Sequence, residues 1–369
     1  DSFEWMIDKN VNEIKPELIV ILGDVYDTFD PSNTVTGFFS RQLRKCNDAK
    51  IPVVILTGNH DICSKNHALQ SVMELNLKSI KVIETPTAFK FKDTLLMMFP
   101  YSVEVEKKQI EIRVQLLKFI EETKVKISKN SDLQNIPILF GGHFGVRGAA
   151  LNEKHVNNDK KDIDLDDLDN VGADYCFMGD YHKHLILKTK CKSMYIGSVE
   201  RTDMSEANDK KGFIVYDTSI DNGKYGCCQF IEYLKVRPMV KLKGNLSEIN
   251  SLITLLDSSY KGAIVQIEVC GDRSEMIEFE NAQVEIRNRL KNMIDPICVR
   301  TEQTITNKEI IEQGEKVEHE IMETKYSKDD EVKNAVKSTI NDLEKDEDER
   351  LVLNNMADDI FKEVRMSEQ

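Results

Sequence analysis

Short apolar runs broken by glycine or proline set the rhythm of roughly the first 225 residues. They lie at 18–22, 53–56, 95–99, 136–140 and 175–178. Each is five residues or fewer and rich in β-branched or large apolar side chains, which predicts strands buried on both faces. The stretches between them, such as 34–47 and 103–129, have helical composition. Strands alternating with helices in this way predict a layered α/β domain over 1–235. From about Val236 the pattern changes. Residues 239–243 read as a strand and 246–256 as a helix opened by Ser247. An alternating strand at 263–270, a helix at 274–293 and a strand at 297–301 follow. Together they predict a small α+β domain over 236–301.

Beyond Thr301 comes a charged connector and then two stripes of apolar residues at helical spacing. The first is Val332, Val336, Ile340 and Leu343, entered through a capping box at Ser327-Lys328-Asp329-Asp330. The second is Leu353, Met356, Ile360 and Val364, with Ala357 and Phe361 beside it. The polar run 344–350 separates them. Such helices either pack on the body or, carried on a charged tether, dock onto a partner. Neither an internal repeat nor a low-complexity segment interrupts the chain.

Composition narrows the class. Of 369 residues, 40% are hydrophobic and 31% charged, and no apolar run is long enough to span a bilayer. The opening residues show no basic segment followed by an apolar stretch, so a secretory signal is not expected. Eight cysteines include no CxxC pair, and several sit inside strand-like runs. They read as reduced, partly buried thiols of a cytoplasmic protein rather than a thiolate zinc site. The net charge of −14 looks adverse to nucleic-acid binding, but residues 301–369 hold 20 acidic against 10 basic groups. The first 300 residues hold 44 acidic against 40 basic. A nearly neutral body can carry a local basic patch, and bound cations add positive charge where phosphates land.

The candidate chemistry sits where the apolar runs stop. Gly23-Asp24-Val25-Tyr26-Asp27, Gly58-Asn59-His60-Asp61, Gly141-Gly142-His143 and Gly179-Asp180-Tyr181-His182 each follow a run directly. Parallel α/β sheets gather functional residues at the C-terminal ends of their strands. Four such ends would therefore bring carboxylate, amide and imidazole groups to one rim. Those donors suit two divalent cations, and with no sulfur among them Mn²⁺ or Mg²⁺ is favoured over structural zinc. Two cations at such a site can activate water and stabilise the leaving oxygen of a phosphodiester. His67, His155 and His319 fit no position in this set and read as surface or packing residues. His184 fits no position either, but it lies two residues past His182 and could reach the site.

These motifs resemble those of the calcineurin-like phosphoesterases and, within them, the SbcD family of DNA-processing nucleases. The narrower resemblance also rests on Tyr195-Ile196-Gly197-Ser198-Val199-Glu200-Arg201, similar to the family's strand-and-turn motif, and on Arg237-Pro238-Met239, where the family's DNA-capping domain opens. It covers nearly the whole chain. It implies a metallophosphoesterase sandwich with a small α+β cap and a C-terminal helical tail. Asp24 would bridge two metals; Asn59, His143 and Asp180 would bind one and His182 the other. His60 would act on the leaving oxygen without ligating. Asp27, Asp61 and His184 would support the ligands from behind. The resemblance further implies double-stranded DNA as substrate, a homodimer, an SbcC-type ATPase bound through 327–369, and a place in the cytoplasm with the nucleoid.

Two departures bear on this expectation. The family opens with a strand ending in Asp-x-His, whereas this sequence starts at Asp1 inside what reads as the next helix. The simplest expectation is that the first few tens of residues are absent; the alternative is a genuine loss of the motif and a dead site. Weak cleavage or none is then expected, because one metal keeps only Asp24 and His182. The family's usual Gly-His-x-His also becomes Gly179-Asp180-Tyr181-His182, and a carboxylate there pushes preference further toward Mn²⁺ or Mg²⁺. The alternatives are a small-molecule phosphodiesterase or phosphatase of the same superfamily and a non-catalytic scaffold for the ATPase.

Overall fold

A computed structural model of the chain describes residues 2–62, 67–101, 112–152, 155–156, 163–219, 227–271 and 273–305. The tail helices expected over 327–369 lie outside the described residues. The chain divides into two compact units. One comprises Asp1–Leu242, Asn250–Ile267 and Val284–Thr301, and the other Lys243–Ile249, Glu268–Gln283 and Glu302–Gln369. Every candidate site residue falls in the first.

The first unit opens with α1 (Ser2–Lys9), a wide π turn (Asn10–Ile14) and β1 (Ile19–Leu22). Next come α2 (Asn33–Asp48), β2 (Val53–Leu56), α3 (Gln70–Glu74) and β3 (Ile80–Ile83). Strands β1, β2 and β3 form one parallel sheet. Then follow β4 (Thr87–Phe91), β5 (Thr94–Phe99), α4 (Ile112–Lys129) and β6 (Ile138–His143). Short strands β7 (Val146–Arg147), β8 (Ala150–Asn152), β9 (His155–Val156) and β10 (Ile163–Asp164) lead into α5 (Leu165–Val171). The strands β11 (Tyr175–Gly179), β12 (Leu185–Ile186) and β13 (Lys192–Tyr195) complete a second sheet, ordered β12-β13-β11-β6-β5-β4. Its inner strands are parallel, and β4 and β12 run antiparallel at the edges.

Burial shows why the runs lack polar alternation. On β1 and β2, Leu22, Val54 and Leu56 face Leu96 and Met98 of β5 in a core between the sheets. The intervening Ile19, Val53 and Ile55 pack under α1 and α2, against Met6, Ile7, Phe39 and Leu43. On the second sheet, Leu95, Met97, Phe140, Cys176 and Met178 turn to α4 and α5, meeting Leu116, Phe119, Ile120 and Leu168. Helix, sheet, sheet and helix are thus stacked, and both faces of each strand are apolar because both are covered.

The remaining elements are an antiparallel hairpin, β14 (Gly212–Asp217) with β15 (Cys227–Glu232), and an α+β segment whose residues are divided between the two units. That segment runs β16 (Met239–Gly244), α6 (Leu246–Ile253), β17 (Ile264–Gly271), α7 (Arg273–Ile294) and β18 (Cys298–Ile305), its strands in one sheet ordered β16-β17-β18. The expected strand–helix alternation is present, with two corrections. Helix α6 stops at Ile253 rather than 256, and Asn245 rather than Ser247 caps it. The Asn245 side chain accepts the Glu248 N–H (3.0 Å), while the Glu248 carboxylate accepts the Asn245 N–H (2.8 Å). This reciprocal pair satisfies two otherwise orphaned donors, a pairing that Ser247, two positions further on and already inside the helix, does not make. The seven cysteines among the described residues are free. No helix among the described residues is long and apolar enough to cross a membrane.

Candidate metal centre

Strands β1, β2, β6 and β11 deliver their terminal loops to one rim. The approach is close: a methyl group at Gly179 would sit 2.0 Å from the Leu22 carbonyl oxygen, and one at Gly58 would sit 2.1 Å from Asp24 Oδ1. Only glycine lets these strand ends meet. Asp24 and Asp180 themselves adopt left-handed backbone, with φ of 49° and 85°. Such conformations cost a non-glycine residue energy and gather at functional sites.

His143, at the end of β6, is the centre of the arrangement and only 1% exposed. Its Nδ1 lies 2.7 Å from the Leu22 carbonyl oxygen. A carbonyl only accepts, so Nδ1 carries the proton and the neutral ring presents a bare Nε2. That nitrogen faces Asn59 Oδ1 at 3.0 Å, Asp24 Oδ2 at 3.3 Å and Asp180 Oδ1 at 3.9 Å. Ligand atoms of Asp24, His143 and Asp180 all lie within 4.8 Å of one another. Turning the Asn59 amide would relieve one lone-pair conflict, but ionised carboxylates have no donor to offer. Positive charge resolves the conflict, supplied by a proton on the ring or by a cation among the four groups. Without a cation, burial would lower the His143 pKa, but the hydrogen bond and charge of Asp24, with the charge of Asp180, outweigh it and raise it. Burial likewise pushes the Asp24 carboxyl up, yet His143 and the His60 backbone N–H hold it below its ordinary value. An oxygen-rich set with one imidazole fits a divalent cation of the Mn²⁺ or Mg²⁺ kind.

The flanking residues play distinct parts. The His60 backbone N–H donates to Asp24 Oδ1 (2.9 Å), and its exposed ring donates through Nδ1 to the Asp27 carbonyl oxygen (3.0 Å). Asp27 contributes that carbonyl, and its own side chain is exposed. Asp61 is fully buried and clamps two loops together, accepting the Tyr26 N–H on Oδ1 (3.2 Å) and the Gly58 N–H on Oδ2 (2.9 Å). Burial lifts its pKa from 3.8 to about 6, although those two N–H groups oppose the rise. His184 is turned away to the Tyr195 carbonyl oxygen (2.9 Å) and stacks on Phe230 with centroids 4.5 Å apart. His67 pairs with Glu84.

His182 stands outside the tight group of three, although the charge of Asp24 still acts on it. Its Nδ1 lies 2.7 Å from Glu206 Oε1. The other carboxylate oxygen accepts from Lys211 Nζ at 2.7 Å. Lys211 also donates to the His182 carbonyl oxygen (2.8 Å) and to Ser198 Oγ (2.9 Å). The Ser198 N–H donates to that same His182 carbonyl (3.0 Å), so the strand-and-turn motif at 195–201 supports the His182 loop. Glu206 and Lys211 were not among the expected site residues. In sequence they lie in a charged turn, Ser205-Glu206-Ala207-Asn208-Asp209-Lys210-Lys211, that reads as ordinary solvated surface.

Residues 1–184 match the model of the family described as Calcineurin-like phosphoesterase, and the chain carries a calcineurin-like phosphoesterase domain. The matched span includes all six expected ligand and catalytic positions from Asp24 to His182 and ends before Glu206 and Lys211. The chain is also 25% identical over 326 residues to a Staphylococcus epidermidis protein named as the D subunit of the nuclease SbcCD, covering 78% of this chain and 85% of that protein. Among solved structures, TT1561 of Thermus thermophilus is similar with a TM-score of 0.37 and 12% identity, over 57% of this chain and 86% of that one.

Proposed function

We propose that this chain is the metal-dependent DNA exonuclease and endonuclease subunit of an SbcC–SbcD type complex, hydrolysing phosphodiester bonds at double-strand ends and hairpins. The observation that carries the reading is the convergence of His143 Nε2 with oxygens of Asp24, Asn59 and Asp180, a donor set that a divalent cation would satisfy. In this account Asp24, Asn59, His143 and Asp180 would hold one cation, Mn²⁺ being favoured, and Asp24 with His182 would hold a second. Such a pair supplies activation of water and neutralisation of charge on the phosphoryl oxygens.

The chain's own groups supply the rest. Leu22 and Glu206 fix which nitrogen of each histidine faces the centre. Asp61 keeps the Asp24 and Asn59 loops in register. His60 is the catalytic residue at the leaving oxygen. With its Nδ1–H committed to Asp27, it gives up a proton from Nε2 only as the doubly protonated ring. The similarity to a protein named as the D subunit of the nuclease SbcCD supports nuclease action and an SbcC partner; to these we add double-stranded DNA as substrate, an SbcC-type ATPase held through 327–369, a homodimer, and action on the nucleoid in the cytoplasm.

Incubating the protein, joined to an N-terminal strand ending in Asp-x-His, with linear duplex and hairpin DNA in Mn²⁺ tests the reading. Cleavage that disappears in His143→Ala is expected. Hydrolysis of a small phosphodiester with no cutting of either DNA would favour the small-molecule alternative, and neither activity would favour the scaffold. Deleting 327–369 should abolish co-purification with the ATPase. Association that survives the deletion would return the tail to packing on the body.

A further inference from the structure

Beneath His182 lies a charged network outside the matched family span. Glu206 is 6% exposed and Lys211 fully buried. The three N–H groups of Lys211 meet three acceptors: the His182 carbonyl oxygen, Ser198 Oγ and Glu206 Oε2. Glu206 in turn accepts four donors. Oε1 takes His182 Nδ1 (2.7 Å) and Thr202 Oγ1 (2.9 Å), while Oε2 takes Lys211 Nζ (2.7 Å) and the Thr202 N–H (3.2 Å). Lys211 thus grips His182 twice, directly at the backbone and through Glu206 at the ring. A buried ion pair is a poor device for stability, since apolar replacements often serve the fold as well. This one is fully hydrogen-bonded and terminates on one nitrogen of one histidine.

We propose that Glu206 and Lys211 are positioning residues which lock His182 in its Nδ1–H tautomer and aim a bare Nε2 at the cation centre. A metal-bound imidazole commonly donates its other N–H to a carboxylate, which fixes the ring and raises its basicity. Here the carboxylate is itself held by a buried ammonium. The inference rests on the reading of His182 as a metal ligand.

The arrangement makes Glu206→Gln informative. At the Oε2 position two donors, Lys211 Nζ and the Thr202 N–H, demand an acceptor, so the new amide places its carbonyl oxygen there. Its NH₂ then faces both His182 Nδ1 and Thr202 Oγ1, which lie 3.0 Å from each other. The Thr202 hydroxyl, which can no longer donate to that position, turns its proton toward Nδ1, so Nδ1 becomes an acceptor of both groups and the ring proton moves to Nε2. In that tautomer Nε2 no longer offers a lone pair. Adding Lys211→Met removes the stronger demand at Oε2 and lets the amide turn back.

The test uses the full chain and two readouts. In metal-free protein, ¹⁵N–¹H correlation of the His182 ring at a pH where it is neutral should show Nδ1–H in wild type, Nε2–H in Glu206→Gln, and partial return in the double variant. Calorimetric titration with Mn²⁺ should show one binding event that His182→Ala removes and that Glu206→Gln weakens about 10- to 100-fold. Wild type with Nε2–H, or Glu206→Gln with an unchanged tautomer and affinity within about twofold, overturns the inference. If His182→Ala itself leaves every Mn²⁺ event unchanged, the ligand reading fails and the inference with it. A Glu206→Gln protein that does not fold would also overturn it, because the network would then serve the fold and not the ring.

Discussion

Replacing Asp61 by Asn separates the cost of burying a charge from the value of the clamp that charge forms. Asp61 is fully buried, and its two oxygens accept the N–H groups of Tyr26 and Gly58. The folded protein holds its carboxyl proton up to about pH 6, against 3.8 for a free side chain. A raised carboxyl pKa means that the fold binds this proton more tightly than the unfolded chain does. Its stabilising contribution is therefore complete below about pH 4 and is lost as pH rises through about 6. The loss is about 3 kcal/mol in all. Asn at this position does not titrate, but its NH₂ meets one backbone N–H, donor against donor, at a cost of about 1–3 kcal/mol. That cost is nearly independent of pH. Between about pH 4 and 7.5, the unfolding free energy of Asp61→Asn relative to wild type should thus move in the variant's favour by about 3 kcal/mol. Urea unfolding in the presence of a chelator measures this, read through the fluorescence of Trp5, the single tryptophan, which packs on Phe213 and Tyr233. A difference that stays constant with pH, or moves against the variant, would show that the Asp61 charge is buried without penalty.

Three further outcomes rest on the same geometry. In protein joined to an N-terminal strand ending in Asp-x-His, His60→Ser should lower DNA cleavage by about 100-fold or more, the range for loss of a general acid or base, while leaving Mn²⁺ titrations unchanged; lost Mn²⁺ binding would make His60 a ligand instead. Gly179→Ala drives a methyl group into the Leu22 carbonyl that anchors His143. It should cost about 1–3 kcal/mol in urea unfolding and weaken Mn²⁺ binding together, and an unaffected cation site would break the link between that contact and the centre. Mn²⁺ at about 100 times its dissociation constant should add about 2.7 kcal/mol of stability, seen as a rise in Tm that a chelator reverses. His143→Ala should abolish that rise, and a rise retained in the variant would place the cation elsewhere.

Much of the site was legible in the sequence because it lies on elements whose pattern has one meaning. A run such as Val53–Leu56, apolar at every position, is a strand covered on both faces, and the residues just past its end are forced onto the sheet rim. Asp24, Asn59, His143 and Asp180 could be expected to meet for that reason. The edge strand β4 was less legible, since Thr87–Phe91 is mostly half-buried and mixes Lys90 with Phe89 and Phe91. Glu206 and Lys211 were not legible at all. No periodicity separates a buried ion pair from a solvated one when both partners lie in one charged turn, and only the folded chain shows what closes over them. The left-handed backbone at Asp24 and Asp180 was hidden too, because an aspartate after a glycine adopts ordinary extended or helical backbone as readily and no sequence pattern marks the exception.

Manganese anomalous scattering from crystals grown with Mn²⁺ locates the cations directly. One peak should lie among Asp24, Asn59, His143 and Asp180, within coordination distance of His143 Nε2, and a second should lie toward His182. Crystals with Mn²⁺ bound elsewhere and no peak beside His143 would contradict the account, however the protein behaved toward DNA.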